Sequence, residues 1–161
     1  MIRNANQGDA KAICDIYNYY ILNSISTFEL EPVSIEDMTA RINRVVIKYP
    51  WIVYEEDSVI LGYAYADHWK TRKAYKNTVE STVYLKDGHS GRGIGSTLYG
   101  FLINELKKMD IHAVIGGISL PNDASVALHE KLGFINIGRF KEVGYKFDKW
   151  IDVGYWELII R

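Results

Sequence analysis

An α/β domain built on a mixed sheet with helices on both faces follows from three features of this 161-residue sequence. From Thr78 to Leu85 the chain alternates with a period of two, then passes through a glycine turn into a helix-spaced segment that reaches Lys107. Two β-rich runs precede that unit. A strand–helix–strand order follows it, and this arrangement places helices on both faces of one sheet. No linker, repeat or low-complexity stretch divides the chain, so one domain over residues 1–161 is expected.

The elements can be justified in order. Met1 to Asn4 reads as a short strand. Asn6 to Asp9 cap a helix in which Ile13, Ile16, Tyr17 and Tyr20 recur at three- and four-residue steps, a stripe assigned to the core. Ser24 to Pro32 is a surface loop, because Pro32 disfavours helical backbone at Glu31. Ser34, with Asp37 three residues on, starts a second helix that carries Met38, Ile42, Val45 and Val46. Tyr49 to Tyr54 and Val59 to Trp69 are strands, and the EEDS between them signals a hairpin. In the next strand Val79, Ser81, Val83 and Leu85 alternate with Glu80, Thr82, Tyr84 and Lys86. Beyond the turn, Leu98, Phe101, Leu102 and Leu106 fall at helical spacing. His112 to Ile118 is a buried strand ending in Gly116-Gly117, and Asn122 to Leu132 is a helix stopped at Gly133. Phe134 to Val143 and Trp150 to Ile160 are closing strands joined by GYKFDK.

Composition narrows the function classes. A net charge of -1 argues against a nucleic-acid footprint, so any anionic ligand must be held locally. The N-terminus lacks an apolar run of signal-peptide length, and no stretch approaches the ~20 apolar residues that span a membrane. A cytoplasmic protein with no membrane partner is expected. Cys14 is the only cysteine, which excludes an internal disulfide and a cysteine metal cluster.

The strand, glycine turn and helix from Thr78 to Lys107 make an anion cradle. Glycine permits close backbone approach, and the first turn of a helix leaves N–H groups free at the positive end of its dipole. Two common ligands are disfavoured by spacing. A Walker A loop requires Lys after its last glycine, whereas Ile94 follows Gly93. A dinucleotide fingerprint has its third glycine one place later than Gly91-Arg92-Gly93-Ile94-Gly95-Ser96.

This segment resembles motif A of the GNAT superfamily of N-acetyltransferases, whose [QR]-x-x-G-x-[GA] turn holds the pyrophosphate of acetyl-CoA. Ser90 replaces the usual long first residue, and Arg92 offers a cation in its stead. Leu120 to Phe134 resembles motif B. Together with WKTRKAY, ESTVY, GSTLY, GYK and WIDVGYW, it is similar to the phosphinothricin and methionine-sulfone acetyltransferase branch. That resemblance implies the GNAT fold, a mixed, mostly antiparallel twisted sheet with helices on both faces. It implies acetyl transfer from acetyl-CoA, without a metal, to the α-amino group of a small amino acid, and a homodimer.

The resemblance also implies site residues. Val83, Tyr84 and Leu85 would meet the pantetheine arm through their backbone, as an added strand does. Gly91, Arg92, Gly93, Ile94, Gly95 and Ser96 would hold the pyrophosphate. Asn122 is an ordinary helix N-cap whose matching family position also contacts CoA, and Lys131 either reaches a phosphate or supports the helix dipole. Glu80 is the candidate general base, since the acceptor ammonium must lose a proton before attack. Phe28, Glu29, Arg72, Ser81 and Thr82 are candidate acceptor residues, with Glu29 facing the ammonium and Arg72 either presenting a fork suited to a carboxylate or phosphinate or standing as a solvated loop cation. His129 stands where motif B usually has the tyrosine that protonates the departing thiolate. It either supplies that proton as an imidazolium at or above its ordinary pKa, or packs beside Leu132 without chemistry. Ile151 replaces a family histidine. Two other functions stay open, the same chemistry on a protein N-terminus or another amine, and a non-catalytic acyl-CoA sensor.

Overall fold

A computed structural model describes residues 1–161. Seven strands form one sheet in the order β1-β2-β3-β4-β5-β7-β6. In chain order the elements are β1 (Ile2–Asn4), α1 (Ala10–Asn23), α2 (Ile35–Val46), β2 (Trp51–Glu56), β3 (Val59–His68), β4 (Thr78–Leu85), α3 (Ile94–Lys107), β5 (Ala113–Leu120), α4 (Asp123–Lys131), β6 (Ile135–Lys146) and β7 (Lys149–Ile159). Only β4 and β5 run parallel.

Helices cover both faces because successive residues of β4 point opposite ways. Tyr84 packs against Tyr17 and Tyr20 of α1, whereas Ser81 meets Tyr99 of α3. Ile13, Ile16, Met38, Ile42 and Val45 fill the layer under α1 and α2; Leu98, Leu102 and Leu106 fill the layer under α3. Side-chain caps stand ahead of α1, on the 3-10 turn Gln7–Asp9 that leads into it, and at the start of α2. Asn6 and Asp9 form a reciprocal capping box, and Ser34 Oγ accepts from the Asp37 N–H at 3.1 Å.

Several boundaries differ from the sequence reading. The Tyr17–Tyr20 end of the apolar stripe is only half-buried, while Val46 and Phe101 are exposed. β2 continues to Glu56, so the hairpin turns on Asp57-Ser58 alone, both with positive φ. The GYKFDK segment is not a loop. β6 extends through Lys146 and turns on Phe147-Asp148 at φ 53 and 57, the left-handed pair that a two-residue hairpin requires. β5 likewise runs past its two glycines to Leu120.

Candidate active site

The site begins where two neighbouring strands part. β4 and β5 pair at Thr78↔Ala113, Val79↔Val114 and Glu80↔Ile115, and then no further. In an antiparallel ladder alternate residues turn both backbone groups toward the partner. The Lys86 N–H donates to Leu61 at 2.8 Å, and Gly62 stands opposite Leu85, so Lys86, Tyr84 and Thr82 face β3. Val83 and Leu85 therefore face the side that β5 has left. The Leu85 carbonyl accepts from Tyr20 Oη at 2.7 Å, which leaves its N–H and both backbone groups of Val83 directed into the gap. That gap is part of a cleft of about 1000 Å³ lined by β4, the glycine turn, β5, α4 and the loop after α1.

The glycine turn closes one end of the cleft. Gly91 and Gly93 have φ of +78 and +79, and a Cβ at either would meet nothing within 4 Å, so backbone conformation rather than crowding demands glycine here. Gly93 is the N-cap of α3 and supplies no side-chain cap, leaving the first N–H groups of the helix for a ligand. Ser90, Gly95 and Ser96 also line the cleft. Ile94 does not, being buried in the core, so only its backbone is available. Arg92 is turned away as well. Its guanidinium pairs with Glu56 at 3.0 Å at the end of β2. Across the cleft, Asn122 caps α4 by accepting from the Ser125 N–H at 3.1 Å, and Lys131 Nζ lies 3.4 Å from Ser96 Oγ.

Glu80 is the residue at which the strands separate, and its carboxylate enters the cleft. Burial raises its pKa, Asp67 on the paired position of β3 raises it further, and Lys70 opposes the shift. The result is a carboxylate moved toward neutrality, as a general base requires. Tyr155 of β7 stands beside it and packs edge-on against Trp69.

On the opposite face of β4, a buried chain links three side chains. His129 Nδ1 donates to the Ser125 carbonyl at 2.7 Å, Nε2 lies 3.0 Å from Tyr99 Oη, and Tyr99 Oη lies 2.5 Å from Ser81 Oγ. A carbonyl can only accept, so Nδ1 carries the proton. Burial lowers the pKa of His129 although the Ser125 bond works against it, so the ring is neutral and Nε2 accepts from Tyr99. Tyr99 must then accept from Ser81. The imidazolium expected at or above its ordinary pKa is thus not favoured, because desolvation outweighs the one bond that stabilises charge. His129 lies on Gly116, where a Cβ would come 2.5 Å from Nε2.

The acceptor candidates divide. Phe28 lines the cleft and leans over Gly144, where a Cβ would come within 2.3 Å of its ring. Thr82 lines it too, on the Glu80 face, whereas the Ser81 side chain is committed to the buried chain. Glu29 does not present a free charge. Arg41 grips its carboxylate at 2.6 and 2.9 Å and Tyr17 Oη donates to it, holding its pKa below the usual value, and it lies outside the cleft lining. Arg72 is exposed at the start of a short turn and lies outside the lining as well.

Comparison with known proteins identifies the family of this domain. The model of the acetyltransferase (GNAT) domain matches residues 2–154. The chain belongs to the GNAT acetyltransferases. It is 44% identical to the phosphinothricin N-acetyltransferase of Streptomyces viridochromogenes over 97% of this chain and 85% of that protein. Identity is 34% with the L-methionine sulfoximine/L-methionine sulfone acetyltransferase of Salmonella typhimurium, over 98% and 92% of the two chains. The acetyl-CoA complex of a phosphinothricin acetyltransferase from Sinorhizobium meliloti superposes with a TM-score of 0.96 at 32% identity, covering 99% of this chain and 87% of that one.

Within this GNAT domain, the sequence reading missed Tyr99, Tyr155, Tyr20 and Tyr65 as parts of the site. Twelve tyrosines in the chain were a signal, and their half-polar rings suit a cleft wall. Tyr99→Phe should leave Ser81 Oγ and His129 Nε2 without their shared partner. The expected cost is about 1–3 kcal/mol in urea unfolding, with an unchanged m-value.

Proposed function

We propose that this enzyme transfers the acetyl group of acetyl-CoA to the α-amino group of a small amino acid, such as phosphinothricin, methionine sulfoximine or methionine sulfone, by direct attack in a ternary complex. One observation carries this reading: a carboxylate of raised pKa, Glu80, stands at the point where the unpaired backbone of β4 opens toward the glycine turn. The names of the relatives supply the class of acceptor.

Acetyl-CoA supplies an activated thioester. The N–H groups after Gly93 hold its pyrophosphate, in the space left open above Gly91 and Gly93. Val83 and the Leu85 N–H take the pantetheine amides as a neighbouring strand would. Glu80, directly or through one water, removes the proton of the acceptor ammonium. A backbone N–H on the open edge of β4 stabilises the developing oxyanion. Neutral His129 keeps Tyr99 and Ser81 in place and leaves thiolate protonation to water. Thr82 and Phe28 bound the acceptor, and Arg72 draws its anionic head toward the mouth of the cleft.

Gly93→Asp should abolish acetyl-CoA binding in calorimetry while the circular dichroism spectrum is retained, because a carboxylate there opposes the pyrophosphate and a side chain strains φ +79. Unchanged affinity in the folded variant would remove the glycine turn from the cofactor site.

Glu80→Gln should lower kcat by ~10² to 10⁴ at neutral pH, with thiol release from acetyl-CoA as the readout over an amino-acid panel. In the wild type the rate should fall as pH drops through the raised Glu80 pKa, since protonation removes the base. The Gln variant should lack that limb and recover in part as pH rises. An unaltered rate at pH 7 makes Glu80 structural.

We propose further that the enzyme is a homodimer joined through β6. This edge strand is exposed along its length apart from Gly144 and Lys146, and it displays Ile135, Ile137, Phe140 and Val143. So long an apolar edge invites a partner. Sedimentation should give a dimer for the wild type and a monomer for the double variant Ile135→Lys, Ile137→Lys; a monomeric wild type would exclude it.

A further inference from the structure

The loop that follows α1 is held by a buried ammonium with no carboxylate beside it. Lys146, at the end of β6, is only 3% exposed, and none of the ion pairs in the molecule includes it. Its Nζ donates to the carbonyls of Ser24 at 2.7 Å and Thr27 at 2.8 Å, with Tyr20 O at 3.5 Å. These acceptors belong to the last turn of α1 and the loop beyond it. α1 has no basic residue of its own in that turn, so the cation that its carbonyls favour comes from 122 positions along the chain. Such a group is costly to bury and is tolerated only when several strong acceptors surround it.

What it holds is the wall of the cleft. Ser26, Thr27 and Phe28 line the cleft together with Glu80 and Thr82. Further ties hold that wall as well: Tyr84 Oη donates to the Ser26 carbonyl at 3.0 Å, Tyr17 Oη lies 2.8 Å from Thr27 Oγ1, and Ser24 Oγ accepts from the Ser26 N–H at 2.9 Å within the loop. Two residues before Lys146, the bare backbone of Gly144 leaves room for the Phe28 ring. The end of β6 thus both bonds the loop and receives its aromatic side chain.

We propose that Lys146 is a positioning residue for the acceptor half of the site, clamping the Ser24 to Phe28 loop to the β6–β7 hairpin so that Thr27 and Phe28 present a fixed wall to the amino acid. The proposal rests on the acetyl-transfer reading above for the identity of that substrate. Lys146 itself bonds neither the glycine turn nor β4; Tyr20 reaches the Leu85 carbonyl through its ring hydroxyl, while Lys146 meets only the Tyr20 carbonyl at 3.5 Å, so loss of the ammonium acts first on the acceptor wall and less on the acetyl donor.

Two-substrate kinetics and hydrogen exchange on the full chain test it together. Lys146→Met keeps the length of the side chain and removes the donors. Its KM for the amino acid should rise about tenfold or more while KM for acetyl-CoA stays within about twofold. Amide exchange over residues 20–30 should accelerate, with residues 94–107 unchanged. A merely structural role would raise both KM values together or leave the loop no faster than the rest, and either result overturns the clamp, as does an unchanged acceptor KM. Should the Met variant fail to fold, Lys146→Arg decides. It keeps the charge, but its broader fork displaces the loop and should move the same two readouts by a smaller factor; wild-type values in both would overturn the proposal. If the wild type acetylates no amino acid, the acetyl-transfer reading fails by itself, and loop exchange in Lys146→Met alone judges the clamp.

Discussion

A backbone edge left without a partner is the constraint on which this molecule turns. Buried N–H and C=O groups must be satisfied, and an interior strand ordinarily satisfies them on both sides. After Glu80 and Ile115, β4 and β5 give up that pairing in the middle of the sheet. Everything around the gap either tolerates the break or uses it. α3 and α4 pack side chains against the face where the strands diverge, and His129 rests on Gly116, the first residue of β5 past the last pair. Ser81, the first residue of β4 past it, is tied into the same buried chain through Tyr99. The chain ties β4 to α3 and α4, and β5 meets it where Gly116 lies against the His129 ring.

The two ends of the cleft are built from different materials. Toward α3 the wall is backbone, with left-handed glycines and uncapped amides. Toward the loop after α1 it is aromatic and polar side chain, with Tyr17, Tyr65, Tyr84 and Phe28 around Thr27 and Thr82. Backbone recognition suits a ligand of constant shape; a wall of side chains can differ among relatives that share the fold but act on different amines. Of the acceptor residues expected from sequence, Phe28 and Thr82 stand on this wall, whereas Glu29 and Arg72 lie outside it.

Legibility followed the range of the interactions involved. The strands, helices and caps depend on periodicity and on neighbours a few residues away, and each expected strand and helix is present, with strand ends displaced by a few residues. The turn at Phe147-Asp148 was misread because neither residue advertises a left-handed conformation, so a strand end was taken for a loop. Charged side chains fared worst. Glu29 and Arg92 were decided by partners 12 and 36 positions away, Arg41 and Glu56, and Lys146, which the sequence did not single out, by the Ser24 and Thr27 carbonyls more than a hundred positions away. A motif fixes where a guanidinium is attached but not which carboxylate will claim it.

The pairing of Arg92 with Glu56 has one more consequence. With that guanidinium engaged on the neighbouring hairpin, the anion cradle consists of peptide dipoles, and Lys131 at its rim is the single full positive charge that lines it. Mobile ions screen monopoles over about 8 Å at physiological ionic strength, whereas the field of aligned amides at contact distance lies inside the reach of that atmosphere. A phosphate held in this way is recognised by shape and donor geometry more than by bulk attraction. On the cofactor reading proposed above, its capture would be only weakly sensitive to salt, and a domain of net charge -1 would need no basic surface to bind a polyanion.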